Sequence, residues 1–196
     1  MPYTRREATL LLLLRPFETP VTVAATAIMW VACVSLNNHL AFEWSSLTDF
    51  RHLIFVPAGV KLALIMALGV RGALGIAVGT MAVLPSDIPA LSLVQVLALS
   101  LAYAGAALAV VTALSCMTGL AIPWLGLRPW HLALFAVVVA IVTSATFNGL
   151  LAMWDVLDGA EILAASVAMV GGDLAGTGIL FASILSARSA LRRLRR

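Results

Sequence analysis

The sequence predicts an all-α integral membrane bundle of about six transmembrane helices with the N and C termini in the cytoplasm, and three observations carry that prediction. Of its 196 residues, 62% are hydrophobic and 11% charged, and the mean hydropathy is +1.07. A water-soluble core has no room for so much apolar surface. The apolar residues also gather into stretches of roughly twenty that carry at most one charge, the length a helix needs to cross about 30 Å of hydrocarbon. Finally, the basic residues collect at alternate connections between these stretches, as they do where short loops remain in the cytoplasm.

Taken in order, residues 1–19 read as an N-terminal cytoplasmic or interfacial segment. Its apolar run is short and is followed at once by Arg15, Pro16 and Glu18. That pattern suits a helix in the headgroup region, stopped near Pro16, better than a cleaved signal peptide. A transmembrane domain then covers 20–186, with spans expected over 20–36, 53–70, 72–84, 91–122, 130–153 and 161–186. The third is short for a bilayer, and the fourth is overlong, so its tail near Gly119 and Pro123 is expected to break. Residues 187–196 form a basic cytoplasmic tail.

Orientation follows from the arginines. Arg5, Arg6 and Arg15 precede the first span, Arg71 lies between the second and third, Arg128 between the fourth and fifth, and Arg188, Arg192, Arg193, Arg195 and Arg196 follow the sixth. The alternate connections carry Glu43 and Asp49 beside Arg51, then Asp87, then Asp155, Asp158 and Glu161. The first group is assigned to the cytoplasm and the second to the outer face of the membrane. The net charge of +3 does not indicate nucleic acid, because the basic residues are spread along membrane edges with no soluble module between them. The lipid bilayer is the expected partner of the tail, at on the order of 1 kcal/mol per basic residue, with a membrane or cytoplasmic protein as a further partner.

Two ionisable residues interrupt the apolar spans, and such groups demand a partner or water. Lys61, the chain's one lysine, is expected ~12 Å into the second span from the outer side and Asp173 ~18 Å into the sixth. The pair, with Asn148 near the outer end of the fifth span, is the candidate polar site: either it lines a cavity that takes a small ligand, or it is an ion pair that locks helices together. Pro57, four residues before Lys61, is read as a kink that opens space or as a tolerated helix-start proline. Gly75 with Gly79, and Gly172 with Gly176, have the spacing that lets helix backbones approach closely. The glycine-rich run around Asp173 is expected to distort its helix, and it lacks the Gly-Lys-Ser/Thr ending of a phosphate loop.

The remaining chemistry is sparse. Cys33 and Cys116 fall inside spans and read as buried packing residues. Trp30, Trp44, Trp124, Trp130 and Trp154 are expected at span ends as interfacial anchors. The connection over 37–52 carries His39, Glu43, Trp44 and His52, scattered too widely for a metal site but placed to cap an outward cavity. No metal, cofactor or enzyme pattern is present in the sequence, and His131 stands alone at a span boundary.

Two segments, FVPAGVKLALIMALGVRGALGIAVGT over 55–80 and VGGDLAGTGILFASIL over 170–185, carry a family pattern. It consists of Pro57, Ala58 and Gly59, then Gly69 to Gly72 with Gly75 and Gly79, then Gly172, Asp173 and Gly176. These resemble the membrane-embedded sensory domain MASE1 of bacterial histidine kinases and diguanylate cyclases. The resemblance implies a multi-pass membrane sensor of bacteria, and the leading reading is a receptor of the bacterial inner membrane that binds a small ligand or membrane partner and, where the family usually has a fused signalling module, signals through a separate chain. The size and span number are also similar to the substrate-binding subunit of energy-coupling-factor vitamin transporters. A structural or assembly subunit of a larger membrane complex is the third reading.

Overall fold

The computed structural model describes residues 5–42, 54–119 and 128–194, with side chains placed for 18–39, 54–119, 128–184 and 186. These residues form α1 (Arg5–Phe42), α2 (Val56–Leu68), α3 (Val70–Asp87), α4 (Leu93–Thr118), α5 (Pro129–Met153) and α6 (Ile162–Leu194). A 3-10 turn, Gly159–Glu161, leads into α6, and no strand occurs among the described residues. Four stretches are long and apolar enough to cross a membrane: Glu18–His39, Leu93–Thr118, Pro129–Met153 and Gly159–Ile184.

The interior is mainly apolar with a smaller set of buried polar side chains, and the outer faces of the helices are apolar as well. Ile28, Leu101, Ile141 and Val167 are 70%, 49%, 51% and 64% exposed, whereas Lys61, Ser100, Thr143 and Ser144 are wholly buried. Exposed apolar faces of this kind are what helices in contact with hydrocarbon present. Local chemistry sets the helix ends. Ser92 starts α4, its Oγ accepting from the Gln95 N–H while Gln95 Oε1 accepts from the Ser92 N–H at 2.9 Å. Gly119 stops α4 in the left-handed conformation, φ 65°. His131 does not stand idle: its Nδ1 accepts from the Arg128 N–H at 3.0 Å and caps the start of α5.

Between α2 and α3 the chain reverses on a single residue, Gly69, at φ 57°, where a side chain would be strained. The reversal packs the two helices so closely that a Cβ on Gly72 would lie 3.0 Å from the Leu64 carbonyl carbon. Gly75 rests on Thr26 and Val23, and Gly79 on Ala27 and Trp30, so α3 runs parallel to α1. Gly59 rests on Thr177 and Leu180, and Gly176 on Phe55, so α2 runs parallel to α6. Helices α1, α3, α4, α5 and α6 follow one another around the bundle, and α2 fills the position between α6 and α1. It leans inward far enough to touch α3, α4 and α5 as well.

Several expectations are corrected. The helix beginning at Arg5 does not stop near Pro16 but runs unbroken to Phe42, absorbing 37–42 of the expected outer connection; 43–53 lie outside the described residues. The expected span 53–70 is the 13-residue helix α2, ~20 Å long at about 1.5 Å per residue and too short to cross a bilayer. Pro57 therefore produces no kink: it sits in the first turn of α2, where its missing N–H has no helical partner to lose. The third helix gains length past its expected end, continuing through Pro85 to Asp87, and the fourth ends at Thr118. The glycine-rich run around Asp173 stays helical within α6, where Gly176 packs on the Phe55 backbone and the Gly172 carbonyl accepts from the Phe55 N–H. Trp30 is 2% exposed and packs in the core instead of anchoring at an interface, and Cys116 is exposed on α4. Trp130 is exposed at the start of α5 and Trp154 is half-buried just after its end, while Trp44 and Trp124 lie outside the described residues.

Candidate functional site

The site is built on the first two turns of α2. Lys61 follows the helix start closely, and its Nζ meets three acceptors from three other helices. These are Tyr103 Oη of α4 at 2.7 Å, Thr143 Oγ1 of α5 at 3.2 Å and Asp173 Oδ2 of α6 at 3.3 Å. An ammonium has three N–H donors, so the lysine is saturated. The Tyr103 ring also stands beneath it, centroid 4.2 Å from Nζ, a cation–π geometry. Thr143 donates its own hydroxyl to the Val139 carbonyl at 2.8 Å, which leaves its lone pairs for the lysine.

Asp173 is less fully served. Its Oδ2 accepts from Lys61, but Oδ1 is buried with no hydrogen-bond partner among the described residues. The carboxylate lies at the level where α2 starts. The Phe55 N–H donates to the Gly172 carbonyl at 3.0 Å, next to Asp173 in the chain. Gly172 lies ~15 Å along α6 from Ile162, so α2 begins inside the bundle. Absence of a side chain at Gly176 permits the contact, since a Cβ there would occupy the space of the Phe55 carbonyl.

A helix that starts inside a bundle presents unsatisfied N–H groups. Here each is answered by the protein. Phe55 N–H bonds to Gly172 O, Val56 N–H to Asn37 Oδ1 of α1 at 3.1 Å, and Ala58 N–H to Phe55 O at 3.0 Å. Pro57 has no N–H to satisfy.

Above the pair lies a cavity of about 560 Å³, within the range of small-molecule sites. Its deep end is formed by Asp173, Tyr103, Trp30 and Phe55, its middle by Thr80, Asn148 and Met169, and its mouth by Asp87, Asp158 and Glu161. Lys61 is not among the lining residues: it stands behind Asp173 and Tyr103. Thr80 Oγ1, like Asp173 Oδ1, is buried without a hydrogen-bond partner among the described residues. Asn148 is half committed to helix packing, its Nδ2 donating to Ser144 Oγ at 3.3 Å and Ser166 Oγ at 3.2 Å.

The structure thus brings Lys61 and Asp173 together and sets Asn148 nearer the mouth of the same cavity. Gly59, Gly75, Gly79 and Gly176 are helix-packing positions, the Gly172 carbonyl accepts from the Phe55 N–H, and Pro57 opens α2. Of the residues read as a cap over the cavity, His39 is exposed near the end of α1, and Glu43, Trp44 and His52 lie outside the described residues. Sequence reasoning missed Tyr103 and Thr80, polar residues that a span tolerates and that carry no motif. It also missed Glu161 and Asp158 as lining residues, having used them only for topology. Among the described residues no group of three His, Cys, Asp or Glu side chains is placed to hold a metal ion. No family model, curated protein or solved structure matches the chain.

Proposed function

We propose that this chain is a multi-pass receptor of the bacterial inner membrane, MASE1-like in kind, that binds a small molecule from the outer face and passes the occupancy of its cavity to a separate protein. The observation that supports this reading most is the cavity itself, which reaches Asp173, the partner of the buried Lys61. An ion pair that served only to lock helices would be packed over, whereas Asp173 keeps an oxygen without a partner and lines an open volume. Arg71 and Arg128 lie at the opposite end of the bundle from Asp87, Asp158 and Glu161, and basic ends stay in the cytoplasm. On this reading all six helices belong to the membrane domain, the short α2 contributing a half-span, with both termini cytoplasmic.

The pair is also a means of transmission. Lys61 ties α2 to α4, α5 and α6, so a ligand that draws on Asp173 changes the balance of contacts holding α2. That shift runs down α2 to the Gly69 reversal at the basic end.

One observation favours a second reading, the binding subunit of a transporter: α2 is a half-length helix starting at the depth of the site, and discontinuous helices build many transport sites. Co-purification separates the two, a kinase or cyclase supporting the receptor and an ATPase module the transporter. The binding claim common to both is tested with a small-molecule extract of the host cells. The extract is expected to raise the unfolding temperature of the detergent-purified wild type but not of Ala165→Phe, which fills the cavity at a lining position. Equal effects on the two proteins, or none on the wild type, contradict the proposal.

A further inference from the structure

We infer that the cavity selects an organic cation: an ammonium group carrying an aromatic or apolar body. This rests on the small-ligand reading above and names the ligand's chemical class.

Two features of the site suggest an anion at first sight, Lys61 and the N-terminus of α2. Both are spent. All three ammonium protons of Lys61 have protein acceptors, and the Phe55, Val56 and Ala58 N–H groups are bonded to Gly172, Asn37 and Phe55. An incoming anion finds no free donor of either kind, and it must also approach the carboxylate of Asp173.

The charged group at the cavity that keeps unused bonding capacity is an acceptor. Asp173 lines the cavity, and its Oδ1 is buried with no hydrogen-bond partner among the described residues, a costly state for a carboxylate oxygen that a donor relieves. Thr80 lines the same cavity, and its buried, unpartnered hydroxyl is able to accept or donate. Asp87, Asp158 and Glu161 surround the mouth, and no Lys or Arg lines the cavity among the described residues. In a chain of net charge +3, this is a local reversal of sign that draws cations inward. The Asp158 carboxylate also caps the turn before α6, accepting from the Ala160 N–H at 3.0 Å, so it is held in place.

The walls define the rest of the ligand. Trp30, Phe55, Tyr103 and Phe147 line the cavity, and Tyr103 packs against Trp30 and Phe147 at centroid distances of 6.5 and 5.8 Å. Aromatic faces attract an ammonium and pack against an apolar body. Hydrophilic polyamines are disfavoured, since they would leave these faces unfilled.

The experiment measures thermal stabilisation of the detergent-purified full chain by 2-phenylethylammonium and benzyltrimethylammonium. Each is compared with 2-phenylethanol and 3-phenylpropanoate, which supply the same body without the positive charge. The ammonium probes are expected to bind saturably and at least about tenfold more tightly than the alcohol or carboxylate, a tenfold ratio being about 1.4 kcal/mol. The advantage should shrink as salt rises. Asp158→Asn with Glu161→Gln alters only exposed side chains and is expected to weaken the ammonium probes severalfold. The double variant Lys61→Met/Asp173→Asn, which removes both buried charges together, is expected to abolish their advantage. Equal or tighter binding of the alcohol or carboxylate overturns the cation inference while the cavity still binds. So does an unchanged ammonium affinity in both double variants. Failure of every probe also overturns it, and the extract experiment then decides separately whether the cavity binds anything.

Discussion

Lys61 is wholly buried, and its charge is tolerable only because Tyr103, Thr143 and Asp173 surround it. Removing one partner of such a pair leaves an uncompensated ion, a loss of about 3–5 kcal/mol. Lys61→Met and Asp173→Asn are each expected to lose stability on that scale in mixed-micelle unfolding. The double variant should recover much of it, because it buries no lone charge. Additive losses would mean that the two side chains do not act as a pair. Asn148 has a smaller stake, and Asn148→Leu, which breaks its bonds to Ser144 and Ser166, is expected to cost about 0.6–1.7 kcal/mol in the same assay. At this scale the sequence was readable where chemistry was conspicuous. A lysine and an aspartate in apolar runs identify themselves by their cost, but Tyr103 and Thr80 do not, because hydroxyls are ordinary inside membrane helices.

Among the elements, α2 sets the site, and its geometry depends on glycine. Gly176 admits the Phe55 backbone, and Gly59 admits Thr177 and Leu180 from the other side of the same contact. Gly176→Ala should therefore displace the start of α2, destabilise the protein by about 1–3 kcal/mol as overpacked interiors do, and weaken any ligand bound above Asp173. Gly105→Ala is the control: nothing lies within 4 Å of its added methyl, and helix propensity predicts a gain of up to about 1 kcal/mol. Chemical or thermal unfolding of both variants checks the contrast. The true length of α2 was not legible, because hydropathy scores the run before Val56 like the helix after it. Whether such a stretch is a full span or a half-helix wrapped in protein is decided by contacts with α1 and α6. Likewise Pro16 looked like a stop, yet α1 passes through it; a long helix can carry a proline when the rest of its ladder holds.

For the whole molecule, the alternation of basic and acidic connections was plain in sequence, and it separates the end bearing Arg71 and Arg128 from the end bearing Asp87, Asp158 and Glu161. What composition could not show is that the acidic connections gather around one opening. Residues from α1, α3, α4, α5 and α6 line it, and no local pattern reports so many separate approaches. Close parallel packing of α1 with α3 and of α2 with α6 leaves the space between these pairs, above the Lys61–Asp173 floor, as the cavity. The receptor reading, the transporter reading and the cation inference all require that this cavity open to the outer face and descend toward Asp173.

Cysteine labelling tests that requirement. In a Cys33→Ser/Cys116→Ser background, single variants Glu161→Cys, Met169→Cys and Val167→Cys are treated in intact spheroplasts with a membrane-impermeant thiol reagent. Glu161 and Met169 line the cavity, whereas Val167 is 64% exposed on the bundle surface, where lipid covers it. Rapid reaction at 161 and 169 with none at 167 is the predicted result; reaction at 169 only after the membrane is broken would contradict the account.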